Sequence, residues 1–417
     1  MPLRDLLALA LVAAGGGAAA GEPLTLAGAV GRALAQNAEV RAAEADVEAA
    51  RARLQGASVL IASNPEVSVG AGSRHDAGAR TIDYEVGLSQ RVEIGGQRGA
   101  RVAAARAALG AAEARLASTR ARVAAEVRDL LGRAAAARLR LEVAAEGQRL
   151  AEEAARAAER RFEAGDVARV EVSSARVEVG RARRVALEAE QERVAALAEV
   201  ELAIGAEPGS AQEIAFALED GRGAVDGTAE ALLQEALASR RDVAAARLDV
   251  AVADAERSLA IRSAVPSPSL GLSVAREERA DVVLGTISFE VPLFARNQAE
   301  RGAASARVQQ ARVALAALER RAAQEVRLAA ERVGAARRMV AAFDAPTMAA
   351  LLESLALVAK AYEAGEVDFV RYQLLRREAL DARRDRIDAL EALNRAEAQL
   401  ERALGREPSP EGPAPSG

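Results

Sequence analysis

The side chains best placed to do chemistry gather around two nearly identical turns. Phe162-Glu-Ala-Gly-Asp-Val167 is matched 200 positions later by Tyr362-Glu-Ala-Gly-Glu-Val367. Close-spaced charges follow each glycine: Asp166, Arg169 and Glu171 in the first half, Glu366, Asp368 and Arg371 in the second. Carboxylates and guanidiniums at such spacing can steer a passing ion or hold two segments together, although one exposed pair contributes only about 0–1 kcal/mol. At the 200-residue offset Glu171 and Arg371 are equivalent with opposite sign, which predicts a pairing between neighbouring hairpins. Other chemistry is sparse. The chain has no cysteine, a single histidine (His75), and two methionines after the initiator, Met339 and Met348. A resident metal centre needs clustered imidazole or soft ligands, so neither metal site nor cofactor is expected. No nucleophile triad or phosphate loop is present, and an enzyme is not expected.

The elements that carry these turns follow from composition and periodicity. Half of the residues are hydrophobic (51%) but only 2% are aromatic, with Ala, Arg and Glu dominant. That composition in helical period indicates long, closely packed helices. The net charge of −5 is small, and the charges are interspersed along the helices as solvated faces, which excludes a nucleic-acid patch. The repetition extends beyond the turns: Ala203-Ile-Gly205 lies opposite Ala403-Leu-Gly405, and Ala33–Val40 reads like Ala236–Val243 at an offset of 203. A period this long is the duplication of a large unit and not a solenoid repeat. The pattern predicts helices over Thr25–Ala62 and Thr228–Ser263, long runs over Gln97–Arg161 and Arg296–Ala361, and returning helices over Val167–Ile204 and Val367–Leu404. Each long run would reach roughly 100 Å at 1.5 Å per residue. Phe343–Met348, with Pro346, interrupts the second. Glycine at each turn suits a left-handed helix cap.

Between helices the period changes to two. After Asn64-Pro65, the residues Val67, Val69 and Ala71 alternate with polar ones, then a loop is expected over Ser73–Ala79. Ile82, Tyr84, Val86, Leu88, Val92 and Ile94 alternate next, with Gln90 the one polar residue on the apolar side. In the second half Leu270, Leu272 and Val274 form one strand, and Val283, Ile287, Phe289, Val291 and Leu293 another. Isolated hairpins cannot bury such faces in water. A closed transmembrane barrel can turn them to lipid. Four strands are too few for a channel, and three chains would give twelve. The fold class expected is mainly α with a membrane β-barrel: duplicated long helical hairpins in a trimeric α-barrel, and four strands per chain.

The organisation expected is a signal peptide over residues 1–20, with Arg4, the apolar Leu6–Ala14 and the small-residue Ala18-Ala-Ala20 site. A first repeat over 21–204, a linker over 205–227 containing the strand-like Ile214–Leu218, a second repeat over 228–405 and a disordered tail over 406–417 follow. No other segment reads as a transmembrane helix, so a membrane would be entered without helices. With no cysteine, attachment by a lipidated N-terminal cysteine is not expected.

The chain resembles the TolC-type outer-membrane channels of tripartite efflux systems over residues 22–406, twice and in order. Leu24-Thr-Leu26 with Ala33-Leu34 and Asn37 resembles that family's first helix, and Asn64-Pro65-Glu-Val-Ser-Val69 its first strand. Val92-Glu-Ile-Gly-Gly-Gln-Arg-Gly99 and Val291-Pro-Leu-Phe-Ala-Arg-Asn-Gln298 resemble its strand-to-helix junctions. These junctions and the Phe/Tyr-Glu-Ala-Gly turns are most similar to the CzcC-like branch for heavy-metal cations. The resemblance implies a homotrimer, a barrel among outer-membrane lipid and a helical tunnel in the periplasm. It implies a periplasmic adaptor and an inner-membrane RND-type pump as partners. The turns become the periplasmic tip, with Phe162, Gly165, Tyr362 and Gly365 as adaptor contacts. Asp166, Arg169, Glu171, Glu366, Asp368 and Arg371 become residues of the pore entrance or gate. Drug-exporting relatives carry paired acidic residues near Arg371, where this chain has Arg371 and Leu374. Drug efflux and type I protein secretion are alternative cargoes. A soluble periplasmic coiled-coil scaffold is an alternative of another class, against which the paired hairpins argue.

Overall fold

In a computed structural model, residues 24–76, 79–209, 214–218, 228–277 and 280–406 are described. The expected signal peptide, much of the linker and nearly all of the tail lie outside them. Nine helices and four strands follow among the described residues: α1 (Leu26–Gln36), α2 (Ala38–Ser58), β1 (Glu66–Asp76), β2 (Ala79–Arg91), α3 (Gln97–Glu163), α4 (Arg169–Ile204), α5 (Ala229–Ser239), α6 (Arg241–Arg262), β3 (Ser269–Glu277), β4 (Ala280–Ser288), α7 (Gln298–Ala341), α8 (Ala345–Glu363) and α9 (Phe369–Leu404).

Two helices expected to be continuous are each broken once. Asn37 leaves the helix (φ −62°, ψ 130°), and its Oδ1 accepts from Glu39 N at 2.9 Å and Val40 N at 3.4 Å, so it caps α2. Arg240 makes the corresponding break between α5 and α6 with no side-chain cap. Asp344 starts α8 by accepting from Thr347 N at 2.9 Å, with Pro346 in the first turn, where its missing N–H costs nothing.

At these breaks the returning helices meet the short ones end on. Gly205 abuts Gln36, Gly405 abuts Arg240, and the Ser239 hydroxyl donates to the Leu404 carbonyl. α3 is the central staff. It is flanked by α2 and α6 towards the sheet and by α4 and α9 towards the turns, with α7 and α8 completing the far side. Sandwiched helices bury residues all round, and Ala134, Ala135, Ala136 and Ala137 of α3 are all buried. Alanine and glycine let the axes approach closely: a Cβ on Gly132 would lie 2.0 Å from the Asn394 amide nitrogen. Ile214 and Phe216 add to the core beside α1, where Ala215 N donates to Leu24 O at 3.1 Å.

The sheet is antiparallel in the order β1-β2-β3-β4. Its register places Val69, Val86, Val274 and Val283 in one cross-strand row and Val67, Leu88 and Leu272 in another, so the apolar residues share one face. Ser68, Gly87 and Ser273 share the other, together with Leu284, an exception to its polarity. Gln90 escapes the apolar face by donating to Ser63 O at 2.9 Å. Two sequence expectations shift. β1 runs on through Ser73, Arg74 and His75, so His75 is paired with Arg80 in the strand and is not a loop residue. β4 stops at Ser288, leaving Phe289, Val291 and Leu293 beyond it and exposed, because its partner β3 begins at the opposing Ser269, directly after Pro268, which cannot donate to a ladder.

One stretch, within Gln298–Glu363, is long and apolar enough to cross a membrane by length and composition, contrary to the sequence reading. Its α8 portion is a packing helix of the wall: Leu355, Val358 and Tyr362 are buried in the cluster that also holds Leu150, Val172 and Phe369.

Candidate functional site: the paired turns

Both long helices end in the same way. Gly165 and Gly365 have φ of 86° and 79°, a left-handed conformation that an L side chain enters at a cost. Asp166 N donates back to Arg161 O at 2.8 Å and Gly165 N to Phe162 O at 3.0 Å. The second turn repeats this, with Glu366 N to Ala361 O at 2.9 Å and Gly365 N to Tyr362 O at 3.1 Å. These bonds satisfy carbonyls at the helix end. The restarts differ: Asp368 caps α9 by accepting from Arg371 N at 2.8 Å, whereas Ala168 offers α4 no side-chain cap.

The equivalent aromatics also differ. Phe162 is 43% exposed, and Tyr362 is 1% exposed. Tyr362 was expected at the docking surface; it instead fastens one hairpin to the other. Its hydroxyl donates to Glu171 Oε1 at 3.0 Å, and its ring stacks on Tyr372 with centroids 5.0 Å apart. The Arg161 guanidinium lies 5.3 Å from the same ring centre and 3.7 Å from Glu171 Oε1. Burial, together with the bond to the Glu171 carboxylate, pushes the Tyr362 phenol well above the ordinary tyrosine value. Within the chain Glu171 is therefore committed to Tyr362 and Arg161 and not to Arg371. Arg371 is exposed on α9, and its side chain has no ion-pair partner among the described residues. Asp166, Arg169 and Glu366 are exposed around the turns, and Asp368 is exposed while it caps.

A second polar cluster lies farther up the same helices. Arg376 is 4% exposed; it donates to Gly147 O at 3.1 Å, Gln373 Oε1 at 2.8 Å and Glu178 Oε2 at 3.3 Å. Arg377 and Arg181 donate to Glu178 Oε1 at 2.7 Å and 2.6 Å. Burial alone would raise Glu178, but the bonds from Arg377 and Arg181 outweigh it and hold the carboxylate below its ordinary 4.5. The cluster ties α3, α4 and α9 together. The sequence reading missed it, although a signal existed: Phe369, Tyr372, Gln373, Arg376, Ala379 and Leu380 form one helical stripe with Arg376 in a core position.

Among the described residues no group of three or more His, Cys, Asp or Glu is placed to hold a metal ion. A groove between α4 and α9 beside the turns is lined by Val170, Val177, Phe369, Val370 and Leu374, and four of these side chains are at least half exposed: Val170 71%, Val177 55%, Val370 76% and Leu374 57%.

A sheet apolar on one face, set on a wall of long paired helices, defines an outer-membrane channel with a periplasmic helical tunnel. The comparisons agree. A model of the outer membrane efflux protein family matches residues 29–206 and 232–406, and the chain belongs to that family. Similar solved structures include CusC (20% identity, 91% of this chain and 92% of that one, TM-score 0.75). VceC of Vibrio cholerae (16% identity, 91% and 96%, TM-score 0.73) and CmeC of Campylobacter jejuni (16% identity, 91% and 85%, TM-score 0.77) share the fold. Among curated protein sequences no match is found.

Proposed function

We propose that this channel is the exit duct for divalent heavy-metal cations, handed over by an inner-membrane RND-type pump through a periplasmic adaptor. It works as a homotrimer with a twelve-stranded barrel and is a passive conduit, not an enzyme. The observation that carries the assembly is the pair of open flanks. β1 and β4 are unpaired sheet edges, and α2 with α4 and α7 with α8 are the outer helices below them. A sheet edge in lipid leaves backbone groups without partners, so the barrel has to close with further copies. The metal cargo is supported by the form of the two strand-to-helix junctions and of the turns.

The turns form the periplasmic tip. Phe162, Gly165 and Gly365 present the surface to the adaptor, with Tyr362 supporting it from beneath. Asp166, Arg169, Glu366, Asp368 and Arg371 line the entrance, and the Tyr362–Glu171 bond holds the two hairpins in the closed arrangement.

The test is a deletion strain challenged with zinc, cobalt, cadmium and copper beside a panel of drugs. Sensitivity confined to the metals supports the reading. Sensitivity to drugs alone keeps the channel and rejects the metal cargo, and no phenotype in either panel points to polypeptide secretion.

A further inference from the structure

Where α9 ends against the start of α6, a cavity of about 210 Å³ opens between α3 and α7. Six arginines line it against two carboxylates, Asp242 and Glu325. Both carboxylates are taken by one residue: Arg240, 8% exposed, reaches Asp242 at 2.7 Å and Glu325 at 2.7 Å. Arg122 is bonded to Glu39, and Arg406 to Glu235 at 2.6 Å. That leaves the side chains of Arg241, Arg321 and Arg402, none of which has an ion-pair or hydrogen-bond partner among the described residues. Three exposed guanidiniums without an ion-pair partner among the described residues thus border one recess in a chain whose net charge is −5.

The first half of the chain provides an internal control. Its corresponding end-on junction carries Asn37 for Arg240, Ala38 for Arg241, Leu202 for Arg402 and Ala206 for Arg406. Arg122, which stands where Arg321 does because Arg122-Val-Ala-Ala-Glu-Val-Arg128 reads like Arg321-Ala-Ala-Gln-Glu-Val-Arg327, is neutralised by Glu39. The joint is thus built without surplus charge in one half, and the surplus in the other is not needed to make it. Placing cations here works against local physics. The α6 N-terminus already carries positive dipole charge, which favours anions, and its preferred cap is a short polar side chain such as Asn.

We propose that this recess binds a soluble oxyanion of the phosphate class. Guanidiniums present paired N–H donors that match phosphate oxygens, and the Ser118 hydroxyl on the same wall adds a neutral donor. A lipid headgroup is excluded by distance. All of α6, 22 residues long, separates the recess from the sheet, which is about 33 Å at 1.5 Å per residue.

The experiment is titration calorimetry of the purified full chain in detergent with sodium phosphate, against sodium chloride at matched ionic strength. Saturable phosphate binding at one site per chain is expected. The triple variant Arg241→Gln, Arg321→Gln, Arg402→Gln should weaken it about tenfold or more. The charge-matched triple Arg106→Gln, Arg156→Gln, Arg183→Gln should not. Absence of saturable binding, an equal response to chloride, unchanged affinity in the first triple, or equal loss in the second overturns the proposal. If the first triple does not fold, Arg402→Leu is read in its place, since it copies the Leu202 that the first half tolerates at the same joint. Retention of wild-type phosphate affinity by that variant overturns the proposal.

Discussion

Tyr362 and Glu178 show how single side chains join elements that the sequence places far apart. Tyr362→Phe removes one hydrogen-bond donor and leaves the ring stack on Tyr372 in place. The loss of one such bond is worth about 1 kcal/mol. A small fall in thermal midpoint is therefore expected, together with a higher single-channel conductance if the bond helps to keep the tip closed. Unchanged conductance would remove Tyr362 from the gate while leaving its packing role. Glu178 is a pH-dependent tie. Its carboxyl is held below 4.5 in the folded chain. The charged form is thus favoured by folding, and its contribution is full above the unfolded value and lost as pH falls through the folded one. Glu178→Gln should cost about 2 kcal/mol near neutral pH, since it removes charge-assisted bonds to three arginines. The gap between wild type and variant in urea unfolding should stay constant above pH 4.5 and narrow below it. A gap independent of pH down to 3 would mean that the charge on Glu178 contributes nothing.

Helices and turns were largely legible, and the reasons can be read from particular residues. The turns at Gly165 and Gly365 were visible because a glycine in an otherwise unbroken Ala/Arg/Glu run has few other uses. Pro346 marked the break before α8. The strands were visible through their period of two, and the observed register collects most of the apolar residues on one face, with Val282 and Leu284 on the other. What the sequence hid was set by tertiary context. Asn37 and Arg240 sit in good helical periodicity, and at each break the end of another helix abuts the chain, Gly205 against Gln36 and Gly405 against Arg240. The different fates of Phe162 and Tyr362 were hidden for the same reason, since the partner Glu171 lies 191 residues away from Tyr362. Asn37 yields a prediction at this scale. Asn37→Ala removes the α2 cap and should destabilise the chain by about 1 kcal/mol, read as a lower urea midpoint with an unchanged slope. A midpoint equal to wild type would mean that end-on packing alone positions α2.

For the molecule as a whole, the decisive feature is a pair of unpaired sheet edges, one on each flank. β1 and α2 are adjacent in the chain and stand at one edge; β4 and α7 are adjacent and stand at the other. β1 and β4 also run in opposite directions, because each neighbouring pair in the four-stranded order is antiparallel. A second copy can therefore lay its β1 beside β4 of the first as one more antiparallel pair. Repeating the step closes a ring with no edge exposed to lipid, which a monomer cannot achieve. The same closure brings α2 and α4 of one copy against α7 and α8 of the next, so barrel and tunnel close in one operation. The chain has no native cysteine, so introduced ones report without background. Ser68 and Leu284 fall in the same cross-strand row and hence on the same face of the sheet. Ser68→Cys combined in turn with Val282→Cys, Leu284→Cys and Thr286→Cys samples neighbouring registers on that face. Oxidation of purified protein in detergent should link at least one combination into dimers and trimers on a denaturing gel, with no species above three. A ladder that continues past three would mean an open or larger assembly, and no linkage in any register would place the β1 and β4 edges apart.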